Sequence, residues 1–543
     1  MAALSLVALI LIGLPIYSVL SKSLQNAAGQ FVGLANFIEY INNPGLRQSF
    51  SNTLIVSGLT TSITLPLAFL YSLALVRSRL PYKSLFKGIA LMPLLAPSLL
   101  PAIALTYMFG NQGYIRSWLG DESVYGVIGI VMAQVFYCFP HAVLILSTAL
   151  GLSDARVYEV AHTLNTRPLR AFFTITLPSA RYGLISAAFV IVTLSMTDFG
   201  IAKVIGGQFN VLAIDIYKQI IGQQNFQMGA VVGVVLLIPA LLSFMIDRMV
   251  RRGQKSLLTA RSVLYQPEIR PIFDAAMLVL TVLVAAAILV VVGTAIFASV
   301  IKFWPYDMSL SLGSYNFAQY DTLGWGSYRN SLLVATWVAV IGTSLVFTGA
   351  YLVEKLKGVD AMRQVLHFLS MLPLAVPGLV LGLGYVFFFN NPGNPLSAIS
   401  SSLVLMILCC VAHYYTVPHL TALTALQQMD SEFEAASSSL GVPFWTTFRR
   451  VTVPICLPAI LDITTYFFVN AMTTVAAVIF LYEPLSMVSS VAVVAMDDTG
   501  DTAAACAMAV MVLVTSAGIK ILQSILATIL TRKTQAWRNV RED

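Results

Sequence analysis

Apolar runs of about twenty residues follow one another along the whole chain, and they limit its fold more than any other feature. A helix needs roughly 20 consecutive apolar residues to cross the hydrocarbon layer of a bilayer. Hydropathy places such runs at about 3–21, 52–75, 86–108, 124–150, 182–205 and 227–247, then at about 273–300, 330–353, 366–391, 400–425, 456–482 and 503–530. Composition agrees. Of 543 residues, 58% are hydrophobic and only 10% charged, and mean hydropathy is +0.83. Soluble domains carry about 25% charged residues, so most of this surface does not face water. The expectation is an all-α integral membrane protein with about 12 transmembrane helices.

The net charge of +7 could suggest nucleic acid in a soluble protein. Here the Lys and Arg residues lie in short loops between the runs. One alternating set of loops holds 23 of the 31 basic residues. Basic loops stay cytoplasmic. Both termini, the segment 248–272 and the loops 151–181 and 427–455 are therefore expected inside, with the lipid bilayer as a partner and no nucleic acid. The N-terminus enters an apolar run directly, without a basic flank or cleavage site, and reads as a permanent helix. The missing flank hints at a short cytoplasmic leader before it. Five cysteines sit in apolar context with no CxxC pattern and read as small packing residues. The five histidines have no metal-ligand spacing, so no metal site is expected.

The chain repeats itself. Asn36-Phe37-x-x-Tyr40 returns as Asn316-Phe317-x-x-Tyr320, Pro93-x-x-x-Pro97 as Pro373-x-x-x-Pro377, Pro140-His141 as Pro418-His419, and Leu150-x-x-x-Asp154 as Leu426-x-x-x-Asp430. The offset stays between 276 and 280. Six runs per copy put both copies in one orientation, related by a pseudo-twofold along the membrane normal. The expected organisation is a first half at 1–250, a cytoplasmic linker at 251–272 and a second half at 273–543. The two halves would enclose a pathway.

Each copy carries one long loop, Asp154–Pro178 and Asp430–Pro454. Both patterns predict a short helix, a stop and a second short helix. Asp154 and Asp430 suit the N-cap. Gly441 suits a left-handed C-cap, and Asn165 is the next-best residue there. Pro178 and Pro454 are expected to interrupt the chain near the membrane. A plain connector needs only a few residues, so two matched loops of this length predict a docking partner.

These loops resemble the EAA loop of binding-protein-dependent ABC importer permeases, E-A-A-x-x-x-G-x9-I-x-L-P. Glu159, Ala161, Ile175, Leu177 and Pro178 match in the first copy, with Val160 and Asn165 departing. Gly441 and Pro454 match in the second, where Ala435 holds the position of the motif Glu and Glu434 lies one residue early. The resemblance implies a type I ABC importer permease fold, two parallel 6-helix repeats fused in one chain. It also implies an inner-membrane location. The partners would be a homodimer of ABC ATPase subunits docking on these loops and a periplasmic or extracellular solute-binding protein. The chain has no G-x-x-x-x-G-K-[ST]. No cofactor is expected in it, ATP and Mg being bound by the partner ATPase, and the chain itself is expected not to be an enzyme.

Candidate pathway or gate residues are Asp198, Thr193, Ser195, Asn470, Thr473 and Thr474, together with Pro93, Pro97, Pro373 and Pro377. Asp198 is the clearest charge within a run, where charges are expensive and functional by default, although capping a helix end is an equal alternative. Proline bends are tolerated where they line a cavity. The acidic Asp497-Asp498-x-x-Asp501 could meet a binding protein or stay solvated. The segments Thr474–Tyr482 and Ala492–Asp501 resemble permeases of 2-aminoethylphosphonate importers, with ferric iron or thiamine as alternatives. An ion-coupled secondary transporter is a reading of a different class. It would need several membrane carboxylates as a relay.

Overall fold

The computed structural model describes residues 1–151, 154–253, 267, 270–356, 358–400, 402–430 and 432–534. The expected linker at 251–272 lies mostly outside the described residues. Twelve apolar segments are present. Eight are single helices: α1 Ala2–Ser23, α2 Pro44–Arg77, α5 Val127–Gly151, α7 Pro168–Thr197, α9 Phe226–Ile246, α10 Pro271–Val300, α11 Trp325–Lys355 and α20 Thr502–Leu530. Four are pairs bent at a short break. These are α3 Lys83–Leu95 with α4 Leu99–Phe109, α12 Asp360–Ala375 with α13 Gly378–Phe389, α14 Leu403–His413 with α15 Thr416–Gln427, and α17 Phe444–Ile455 with α18 Leu457–Thr473. Four shorter helices complete the set used below: α6 Ala155–Thr163, α8 Gly200–Ile205, α16 Glu432–Ser439 and α19 Ser489–Asp498. Besides the helices, the described residues form a small hairpin of β1 Ile301–Phe303 against β2 Asp307–Leu310 and an isolated bridge between Gln25 and Phe31.

The paired prolines make the two sharpest bends, 100° between α3 and α4 and 115° between α12 and α13. The residue before proline is pushed out of the helical region. Ala96, before Pro97, has φ −102° and ψ 146°, and Val376, before Pro377, has φ −106° and ψ 117°. The 11-residue α4 extends about 16 Å, roughly half the hydrocarbon thickness. It is sheathed by protein, and Leu99, Leu100, Ala102 and Ile103 are fully buried.

Two expectations about the loops need correction. The second limb of the first loop is not a separate short helix, because α7 runs unbroken from Pro168 into the membrane segment. Pro178 does not interrupt it. A π-helical stretch, Phe172–Thr176, ends just before Pro178, which lies in the first turn of the α-helical part. The wider i→i+5 bonding of that stretch takes up the donor missing at Pro178, so the helix continues. The second copy has the same π-helical stretch at Phe448–Thr452, yet its chain does break, with a 79° bend at Cys456. The added element is Pro458, whose counterpart in the first copy is Tyr182. Without an N–H, Pro458 cannot bond the Pro454 carbonyl.

The chain forms two compact units that each draw on both ends of the sequence. One comprises Val32–Tyr315 with Asp497–Val510, the other Met1–Phe31, Asn316–Met496 and Met511–Asp543. Thus α10 packs in the first unit, where Thr294 Oγ1 lies 2.8 Å from Tyr114 Oη and Ile288 joins the buried core. Helix α1 packs in the second, where Tyr385 Oη donates to the Leu11 carbonyl at 2.8 Å. A Cβ on Gly384 would sit 2.5 Å from the Pro15 carbonyl oxygen, so only glycine permits that helix contact.

Within each unit, α7 and its counterpart pack on equivalent partners. Phe69 of α2 meets Phe172 at 6.1 Å, edge to face, and Phe347 of α11 meets Phe448 at 5.9 Å. The core of the first unit joins α2, α5 and α7 through Phe69, Tyr71, Phe139, Leu146 and Ile191.

Candidate docking loops

The short helix of each loop is built by the same local chemistry. Asp154 Oδ1 accepts from the Arg156 amide at 3.1 Å, and Asp430 Oδ1 accepts from the Glu432 amide at 3.0 Å. Each thereby satisfies an amide that the first helical turn leaves unpaired. Both helices end in a Schellman motif. Asn165 has φ +48° while the Thr166 amide bonds the Ala161 carbonyl at 2.9 Å and the Asn165 amide bonds His162 at 3.0 Å. Gly441 has φ +66° while the Val442 amide bonds the Ser437 carbonyl at 3.0 Å. Pro178 and Pro454 lie beyond, in the first turns that follow the π-helical stretches.

Glu159 and Ala435 occupy equivalent, exposed positions, and Ala161 is buried against the rest of the loop. The side chain of Glu434 lies outside the described residues. Sequence reasoning missed the most telling feature, an apolar stripe. Val157 is 49% exposed, Val160 56% and Leu164 72%. Their i, i+3, i+7 spacing puts them on one face of α6. The counterparts on α16 are Phe433, Ala436 and the 79% exposed Leu440. Leu169 and Trp445, again equivalent, are exposed beside them. The spacing was available in the sequence; its exposure was not.

In the first unit Asp198 lies within hydrogen-bonding reach of Ser98, the residue after Pro97. Asp198 follows α7 and its Oδ2 accepts from the Ile201 amide of α8 at 2.9 Å, so it acts as a helix cap. Thr193, Asn470 and Thr473 bond carbonyls of their own helices. Ser195 donates to Gln134, which also accepts from Thr60 at 2.9 Å, a buried link among α2, α5 and α7. Thr474 ends α18, and its carbonyl accepts from Ser490. Pro93, Pro97, Pro373 and Pro377 make the two bends described above.

Several polar contacts were not foreseen. Asp498 of the acidic segment pairs with Lys203 at 2.9 Å. Asp462 within α18 accepts from Gln523 at 2.7 Å, with Lys520 4.0 Å away. His367 and His419 approach to 3.4 Å across 52 residues of sequence. None of these pairs is spaced to show itself in a linear reading.

Two copies of one multi-helix membrane unit, each displaying a capped helix with an unsheltered apolar stripe, define a fused two-repeat permease. The chain belongs to the family described as the binding-protein-dependent transport system inner membrane component, whose model matches residues 65–256 and 346–532. Each matched stretch contains one of the two long loops. Over 451 residues the chain is 30% identical to a ferric transport system permease protein of Actinobacillus pleuropneumoniae, covering 79% of this chain and 64% of that one. A permease protein named for ferric transport in Haemophilus influenzae is also 30% identical, covering 79% of this chain and 70% of that one. A permease protein named for 2-aminoethylphosphonate transport in Salmonella typhimurium is 24% identical over 254 residues, covering 45% of this chain and 88% of that one. The chain thus spans slightly less than two thirds of the first of these relatives.

Proposed function

We propose that this chain is the membrane permease of a binding-protein-dependent ABC importer, and that a dimer of separate ATPase subunits docks on α6 and α16 and drives it. The observation that carries this reading is the matched apolar stripe, Val157, Val160 and Leu164 in one copy and Phe433, Ala436 and Leu440 in the other. Large apolar side chains exposed together mark an interaction surface. An amphipathic helix seated in a groove is a standard recognition mode. The arginines of these loops, Arg156, Arg167, Arg170 and Arg181 in the first and Arg449 and Arg450 in the second, support a cytoplasmic face, with both termini on the same side. A solute-binding protein would deliver cargo from the opposite side.

For the solute, 2-aminoethylphosphonate is one reading, based on Thr474–Tyr482 and Ala492–Asp501. Ferric iron is the second, and the higher identity of the ferric relatives supports it equally. The ligand of the cognate binding protein decides between them.

The test is reconstitution with the ATPase subunits in lipid vesicles. Leu164→Asp with Leu440→Asp should abolish subunit binding and ATP-driven uptake while the chain still inserts in the membrane. A desolvated charge in each groove accounts for the loss. Uptake driven by a proton gradient without ATP, or normal binding by the double variant, would sink the proposal.

A further inference from the structure

A polar linkage joins the first docking helix to the membrane segments. Arg77 is in the last turn of α2 and only 7% exposed. Its guanidinium carbon lies 4.4 Å from the centroid of the Tyr158 ring on α6. Its Nη2 donates to Tyr158 Oη at 3.1 Å and to the Leu150 carbonyl at the end of α5 at 3.2 Å. Tyr158 Oη in turn donates to Thr176 Oγ1 at 3.1 Å, at the end of the π-helical stretch of α7. One arginine and one tyrosine therefore touch the ends of α2 and α5 and the π-helical stretch of α7 together with the docking helix.

A guanidinium stacked on an aromatic ring and donating from one nitrogen to two oxygens is a directional contact. Sliding would break both of those bonds in a buried setting, where a lost bond is costly. The π-helical stretch gives it purchase on α7, since such segments are rare and mark functional distortions of helices. The second copy is built otherwise. The positions of Arg77 and Tyr158 hold Lys355 and Glu434, which cannot form that stack. Thr452, counterpart of Thr176, is buried with Oγ1 unbonded among the described residues. In that loop Tyr351 packs against Phe444 and Phe448, at 4.8 and 4.5 Å between ring centroids.

We infer that Arg77 and Tyr158 are positioning residues that turn displacement of the first docking helix into displacement of α2, α5 and α7. This rests on the docking reading given above. Arg77 and Tyr158 touch the span ends rather than the exposed stripe, so their loss separates transmission from binding.

The experiment uses the full chain assembled with its ATPase subunits in lipid vesicles. MgATP is supplied, with 2-aminoethylphosphonate or ferric citrate as the transported probe, whichever the unaltered complex moves. Tyr158→Ala removes the stack and the hydroxyl; Tyr158→Phe keeps the stack and removes the hydroxyl. Solute moved per ATP hydrolysed should fall about tenfold in the first and about threefold in the second, with subunit binding retained. Hydrogen exchange at 172–176 gives a second readout: it should respond to MgATP with vanadate in the unaltered chain and not in Tyr158→Ala. A fall in either assembled Tyr158 variant supports the linkage. An unchanged ratio in Tyr158→Phe, combined with an unchanged ratio or no assembly in Tyr158→Ala, overturns it. Failure of the unaltered chain to bind ATPase subunits would instead remove the docking reading itself.

Discussion

Gly441 and Asn165 fill one stereochemical niche with different ease. Both sit at positive φ, +66° and +48°. A Cβ on Gly441 meets nothing within 4 Å, so only backbone strain opposes a side chain there. Gly441→Ala should therefore weaken α16 by about 1 kcal/mol, which multiplies its open population by about five. Asn165→Gly should leave α6 unchanged or slightly firmer, because glycine tolerates that conformation better than asparagine. Hydrogen exchange of amides 432–439 and 155–163 measures both; equal protection of α16 in the Gly441→Ala chain would show that the cap is not limiting. The caps were legible because capping is local: Asp, a short helix and Gly or Asn lie within a dozen residues. Arg77 and Tyr158 were not, being 81 residues apart, and a buried arginine after an apolar run reads as a loop charge until its partners are seen. Asp198 stood as gate or cap in the sequence, and its bond to the Ile201 amide puts its carboxylate to use as a cap.

At the scale of elements, bends separate what proline dictates from what it merely accompanies. Pro97 and Pro377 force an extended residue before them, so the two largest bends were foreseeable from the paired P-x-x-x-P pattern. Pro178 and Pro454 looked alike in sequence and behave differently. Pro178 rides inside a continuous α7, whereas the chain breaks by 79° two residues after Pro454. Since the equivalent proline is tolerated in the first copy, the break belongs to Pro458. Pro458→Tyr installs the residue present at that point of the first copy and returns an N–H to the Pro454 carbonyl. The bend should then open toward the unbroken course of α7. Paired spin labels at Thr446 and Asn470 should report a longer separation, since straightening carries the two helix arms apart. A separation equal to that of the unaltered chain would show that packing around α17 and α18, rather than the missing donor, sets the angle.

For the whole molecule, hydropathy located all twelve apolar segments and the repeat revealed their pairing, but neither could say which helix lies against which. Periodicity reports that a helix is apolar; it carries no information on its neighbour. The compact units consequently differ from a division at the midpoint of the chain, with α1 in the unit of the second half and α10 in that of the first. This topology has a specific weak point at Gly384, which faces the Pro15 carbonyl at a distance no side chain can share. Gly384→Val must push α1 away from α13, strain the bond from Tyr385 to Leu11, and destabilise that contact by about 1–3 kcal/mol. The rest of the second unit, held by α11, α15 and α18, should stay folded. A cysteine introduced at Ile12, which is 1% exposed, measures this directly, because the five native cysteines are all buried. In the full chain in lipid, maleimide should label that site several-fold faster when Gly384 is Val, by roughly the factor of five or more that such a free-energy change implies. Labelling at the unaltered rate would mean that α1 is held mainly by contacts other than its close crossing with α13.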